Sequence, residues 1–291
     1  MATEDEPSYG RPPSLAEQDS LYNRIERVAE DYGKSLGRGA AAVLFFYLWA
    51  PIAVLVFMSF APTVLTFPPE RLTLEWYATF LNNEAAMRAI ILSLQISLPV
   101  TIISVILATL IAYAIDRYEF PGKDYIQVLA TLPLIVPLVV GGVALVFFYG
   151  LINASAGYGT VVTAHVVRSL PFSTLIVVTV FLSFDRTLEE ASMDLGADEI
   201  QTFLKVTLPE IMPGIIAGGL LAFTISFNEF VYTFFVKSSQ TTTLPIFIWE
   251  KVRFGVTPEV NVISVVFIAV AAALILAAVW LTRVETLTGQ G

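Results

Sequence analysis

His165, Arg168, Asn228 and Glu229 interrupt long apolar runs of the chain. An ionisable group among apolar residues is costly, and it usually faces a polar path or a partner charge. Catalysis asks for more, such as a nucleophile beside a base or two carboxylates at one depth. His165 and Glu229 alone make neither, which weighs against an intramembrane enzyme. The single histidine excludes a site that needs several, and with no cysteine there are no thiolate ligands or disulfides. No G-x4-G-K-[ST] sequence is present, so ATP hydrolysis would have to come from a partner. What remains is electrostatic chemistry. Glu229, with the Asn228 amide beside it, either attracts an ammonium group along a path or pairs with a cation on another helix or subunit. His165 and Arg168 are spaced to share a helix face. Arg168 snorkels to an interface, pairs with Glu229 or an outer glutamate, or lines the path, and the last case would favour an anionic solute.

These side chains need elements that hold them at membrane depth. Hydrophobic residues make up 56% and charged residues 14%, with mean hydropathy +0.75, against roughly 25% charged in a soluble domain. Net charge −9 and pI near 4.7 argue against a nucleic-acid partner. Six runs reach the roughly 20 apolar residues that span a bilayer: Ala40–Phe60, Ala89–Ile115, Tyr125–Gly150, Thr160–Phe184, Ile211–Val236 and Val260–Thr282. None alternates as a barrel strand does, and in lipid a helix satisfies its own backbone. The fold class is therefore an all-α polytopic membrane protein of six transmembrane helices. Pro133, Pro137, Pro171 and Pro213 can bend these helices, and Gly141-Gly142 and Gly218-Gly219 suit close helix packing.

Residues 1–39 form a separate acidic segment with Pro7, Pro12 and Pro13 and no features of a signal peptide. Its first part is expected to be disordered. Leu21, Ile25 and Val28 recur at helical spacing, so Ser20–Tyr32 reads either as a short amphipathic helix or as a solvated tail. Arg24, Arg27, Lys34 and Arg38 crowd the first span and place the N-terminus in the cytoplasm. Six spans return the C-terminus to that side. The loops at Arg117–Lys123 and 185–210 then fall inside as well.

The segment 185–210 is polar and helix-forming. Thr187 and Glu190 have capping-box spacing, so a helix is expected from Leu188. Gly196 suits a left-handed helix end. Asp198, with Gln201 three residues on, caps a second short helix that Leu208-Pro209 stops before the fifth span. Two short helices joined by a glycine elbow result. The alternative is a generic amphipathic connector.

Glu190-Ala191-Ser192, then Gly196, then Val206-Thr207-Leu208-Pro209 closely resembles the EAA loop of ABC importer permeases. Ser192 stands where the pattern has its second alanine, and Val206 where it has isoleucine. Thr131–Pro137 with Gly141-Gly142, Ser226–Phe230, Thr243-Leu244-Pro245 and Gly255–Asn261 resemble the spermidine/putrescine-type permeases. The polyamine group tends to carry two acidic residues where this chain has Asn228 and Glu229. Relatives for iron, thiamine, phosphonates or sugars share much of the pattern. The resemblance implies a type I importer permease fold over residues 40–284 and no enzymatic activity of the chain's own. It implies ATPase coupling through Glu190, Ala191, Ser192, Gly196, Ala197, Phe203, Leu208 and Pro209. It also implies a second, related permease subunit, an ATP-binding dimer that holds ATP and Mg, an extracellular binding protein, and alternating access in the cell membrane. A channel, the remaining alternative, has no use for an ATPase-docking loop.

Overall fold

The computed structural model describes residues 15–63, 68–255 and 257–288, and side chains within these from 36 to 273 and at 275 and 276. By contacts the chain divides into two units, Met1–Phe57 and Met58–Gly291.

The first unit holds α1, Leu15–Met58, a single 44-residue helix that passes through Pro51. Its stretch Leu36–Met58 is long and apolar enough to cross a membrane. The separate short helix expected at Ser20–Tyr32 is instead the start of this rod. Between Leu15 and Ala50 there is no proline, and the glycines at 33, 37 and 39 each cost only about 1 kcal/mol of helix propensity. The disorder expected for the first part of the tail falls largely on residues 1–14, outside the described residues.

The second unit is helical among its described residues. After α2 (Glu75–Leu81) come α3 (Glu84–Arg117), α4 (Lys123–Thr131), α5 (Leu138–Leu151) and α6 (Tyr158–Ser183). Then follow α7 (Thr187–Asp194), α8 (Glu199–Thr202), α9 (Leu208–Phe227), α10 (Val231–Val236), α11 (Leu244–Phe254) and α12 (Pro258–Thr288). The all-α class holds. Among the described residues four helices are long and apolar enough to cross, and α4 with α5 makes a fifth if that bent pair counts as one span. The sixth expected span falls on α12, of which Pro258–Ala273 ranks as a shorter apolar helix.

Two of the expected spans are interrupted rather than continuous helices. Tyr125–Gly150 is broken: a 3-10 turn at Leu132–Leu134 follows α4, and the two halves meet at 112°. Pro133 and Pro137 lack the N–H groups that would carry the helix through. Ile211–Val236 divides into α9 and α10 across residues 228–230. At its other end, Leu208-Pro209 does not stop the preceding helix. Glu199–Phe227 runs as one span, with a π turn at Phe203–Thr207 whose wider hydrogen-bonding accommodates Pro209 in the first turn of α9. Pro171 and Pro213 lie inside α6 and α9, which continue past them.

α3, α6 and α9 pack around Ala108, Ala112, Val177, Phe181 and Ile211. Small residues set their spacing. A Cβ on Gly214 of α9 would come within 2.3 Å of Val180 Cγ2 of α6, and between α5 and α10 one on Gly141 would come within 2.3 Å of the Tyr232 hydroxyl. Ser173 donates to the Gly218 carbonyl at 3.0 Å, and the Ser104 and Ser169 hydroxyls meet at 2.9 Å. Leu98, Ile102, Ile106 and Leu110 of α3 stay exposed, as a face in contact with hydrocarbon does.

Candidate functional site

The elbow forms from local hydrogen bonds. Asp185 Oδ1 accepts the Thr187 N–H at 3.0 Å, which holds the Asp185 carboxyl below the usual carboxylate range. α7 therefore opens at Thr187. The Thr187–Glu190 capping box does not form, because the Glu190 N–H that it needs donates to the Arg186 carbonyl at 3.2 Å instead. The helix ends at Leu195-Gly196. Gly196 adopts φ +94° and donates to the Met193 carbonyl at 2.9 Å, while Ala197 donates to Ser192 at 3.2 Å. Asp198 caps α8 as expected, accepting from Gln201 N–H at 2.7 Å. The Ser192 and Thr202 hydroxyls, 3.1 Å apart, tie the short helices together. The Phe203 ring meets Tyr113 of α3 edge-on at 5.2 Å, and Leu208 and Pro209 open α9.

Outside, the elbow is apolar as well as charged. Leu195 is 90% exposed and Ile200 71%, and Glu190 and Ala191 are exposed beside them.

Inside the elbow lies a charge cluster that the sequence did not single out. Arg117, the last residue of α3, donates to Glu189 of α7 at 2.7 Å and to Asp116 at 2.6 Å. Thr207 of the π turn donates to the same Glu189 oxygen. Arg186 reaches the Asp116 carbonyl at 2.7 Å and its carboxylate at 3.0 Å. The signal was a charge pattern, Asp-Arg at one loop and Arg-x-x-Glu at the next, but only the fold shows that these loops meet.

The second place is the break between α9 and α10. Asn228 is exposed, and its amide donates back to the Thr224 carbonyl at 2.8 Å. Glu229 is buried. Its Oε1 accepts the Tyr232 N–H at 2.9 Å, capping α10, and its Oε2 faces Arg168 Nε at 3.7 Å. Arg168 stacks over Phe172 at 5.1 Å, and its buried Nε has no hydrogen-bond partner. Arg168 thus pairs with Glu229. The contact is a loose ion pair rather than a close hydrogen bond.

His165 cross-links the core behind this pair. Its Nδ1 lies 2.9 Å from Ser226 Oγ, and its Nε2 lies 2.7 Å from Thr233 Oγ1. Thr233 donates to the Glu229 carbonyl at 3.0 Å, so Nε2 is the donating nitrogen and Nδ1 accepts from Ser226. The arrangement holds a buried carboxylate, half-satisfied by one arginine, where a helix is interrupted. Among the described residues no group of three or more His, Cys, Asp or Glu is placed to hold a metal ion.

Comparison with known proteins converges on one family. Residues 104–284 match the family described as binding-protein-dependent transport system inner membrane component. The spermidine/putrescine transport system permease protein PotC of Haemophilus influenzae is 32% identical over 241 residues, covering 83% of this chain and 94% of that protein. The putrescine transport system permease protein PotI of Escherichia coli is 34% identical over 227 residues, covering 76% and 81%. A solved bacterial ABC transporter involved in the import of the acidic polysaccharide alginate shares the fold at TM-score 0.71 and 17% identity, over 91% of this chain and 98% of the other.

Proposed function

From the premise that the chain belongs to the family of binding-protein-dependent inner membrane transport components, the permeases of ABC importers, we propose that it passes polyamines across the cell membrane, driven by a separate ATPase seated on its Glu190–Pro209 elbow. The observation that carries this reading is the elbow. Gly196 turns the chain at φ +94° and leaves Leu195 and Ile200 in solvent, where a partner would cover them. The N- and C-termini and the elbow then lie on the cytoplasmic side, as the arginine distribution favours.

Polyamine as cargo is supported by the PotC and PotI relatives. The Glu229 carboxylate faces Arg168 of α6, the second of the two roles open to it, and does not add to that support. Two permease subunits, this chain and a related one, would enclose the path. Two ATP-binding subunits would hold ATP and Mg, and an outer binding protein would deliver the solute. Binding energy then serves to shift an equilibrium between inward-open and outward-open states. This permease makes or breaks no bond.

The test is ATP hydrolysis by the purified complex in the presence of its binding protein. Spermidine or putrescine should raise the rate. Stimulation by a different solute, with no response to either polyamine, would overturn the cargo and leave the importer in place. A chain that retains no ATPase on purification would overturn the coupling reading as well.

A further inference from the structure

α7 carries the outer surface proposed to receive the ATPase, yet none of its residues is buried. Apolar packing therefore does not fasten it to the bundle. At its C-terminal end the chain turns at Gly196, a single glycine at φ +94° with nothing near its α-carbon that a side chain would strike. A force applied to such a helix would flex the elbow unless something rigid joined it to a spanning segment. Glu189 supplies that join. One carboxylate oxygen accepts from Arg117 at the end of α3 at 2.7 Å and from Thr207 in the π turn that opens α9. Three segments thus converge on one atom. The two charged side chains are only 11% and 13% exposed, so water screens them little, and charge-assisted hydrogen bonds of this kind are the strong ones. Arg117 is itself fixed, by Asp116 at 2.6 Å and by the Phe184 ring 5.5 Å beneath its guanidinium. Arg186 adds a second strut to Asp116, but it is 57% exposed and correspondingly weaker.

We infer that the Arg117–Glu189 pair, with Thr207, is the link through which movement of the docking helix reaches α3 and α9. Glu189 and Arg117 are positioning residues, since neither needs to touch ATP or solute. The inference rests on the proposed seating of an ATPase on the elbow.

The experiment uses the full complex in liposomes and reads two quantities, the ATPase retained on purification and the solute imported per ATP hydrolysed. The variants are Glu189→Arg, Arg117→Glu, the double exchange, and Glu189→Gln in case a reversal prevents insertion. Loss of folded protein lowers import and hydrolysis together and leaves their ratio unchanged, so the ratio isolates transmission. Each reversal should keep the ATPase and lower the ratio about tenfold, the factor that 1.4 kcal/mol of lost coupling gives. Glu189→Gln should lower it less, and the double exchange should restore most of it. Single variants with the wild-type ratio, or a double exchange no better than either single, would overturn the link alone. A wild-type complex without an ATPase would overturn the seating and the link together.

Discussion

At the scale of single residues, Gly196 and Glu229 carry the sharpest expectations. Gly196 sits at φ +94° in open space, so a side chain there clashes with nothing and is penalised only through its backbone. A β-branched residue resists positive φ. Gly196→Val should therefore deform the elbow and uncouple transport while the protein still inserts. ATPase retention and uptake measured on that variant would both fall, and unchanged values would contradict the assigned role of the elbow. Glu229→Gln keeps the shape and the Tyr232 cap but removes the charge facing Arg168. If the carboxylate compensates an ammonium group in a hydrated path, uptake efficiency should drop about tenfold, or about 1.4 kcal/mol, with expression and ATPase retention intact. Much of this was legible in advance. Gly196 and Asp198 act as their spacing indicates, because helix ends are decided by local geometry. Glu189 was missed for the opposite reason: its partners Arg117 and Thr207 come from distant segments, and only folding brings them to one oxygen.

At the scale of elements, apolar run length showed where the four or five spans among the described residues fall, and Pro133 and Pro137 marked where one of them bends, but the break at residues 228–230 was not visible. A run of hydrophobic residues records that a segment is buried in lipid, whereas its path depends on where backbone hydrogen bonds fail. Pro133 and Pro137 break one span, while Pro171 and Pro213 are absorbed inside α6 and α9. Proline type alone does not separate the two outcomes, because neighbouring helices decide whether a freed carbonyl is satisfied. Packing between α6 and α9 makes a prediction here. A Cβ on Gly214 would lie 2.3 Å from Val180 Cγ2, closer than atoms tolerate. Gly214→Ala should cost about 1–3 kcal/mol through overpacking, seen as a lower thermal midpoint in detergent. Val180→Ala should relieve part of that loss when combined with it. An additive double variant would show that the helices do not meet there.

At the scale of the whole molecule, the orientation and the cargo are the claims that matter. The chain has no cysteine, so single cysteines can be introduced without background. Cysteines at Asp194 and in Arg117–Lys123 should resist an impermeant reagent applied to intact cells, and one at Asn153 should react; labelling at Asp194 from outside would reverse the orientation. The central claim is polyamine import coupled to a separate ATPase. Its most direct measurement is uptake of labelled spermidine and putrescine into liposomes that hold the complete complex with its binding protein. The expected result is ATP-dependent accumulation of at least one polyamine, abolished when ATP is replaced by a non-hydrolysable analogue. No accumulation of either polyamine, in vesicles that import another solute with ATP, would contradict it.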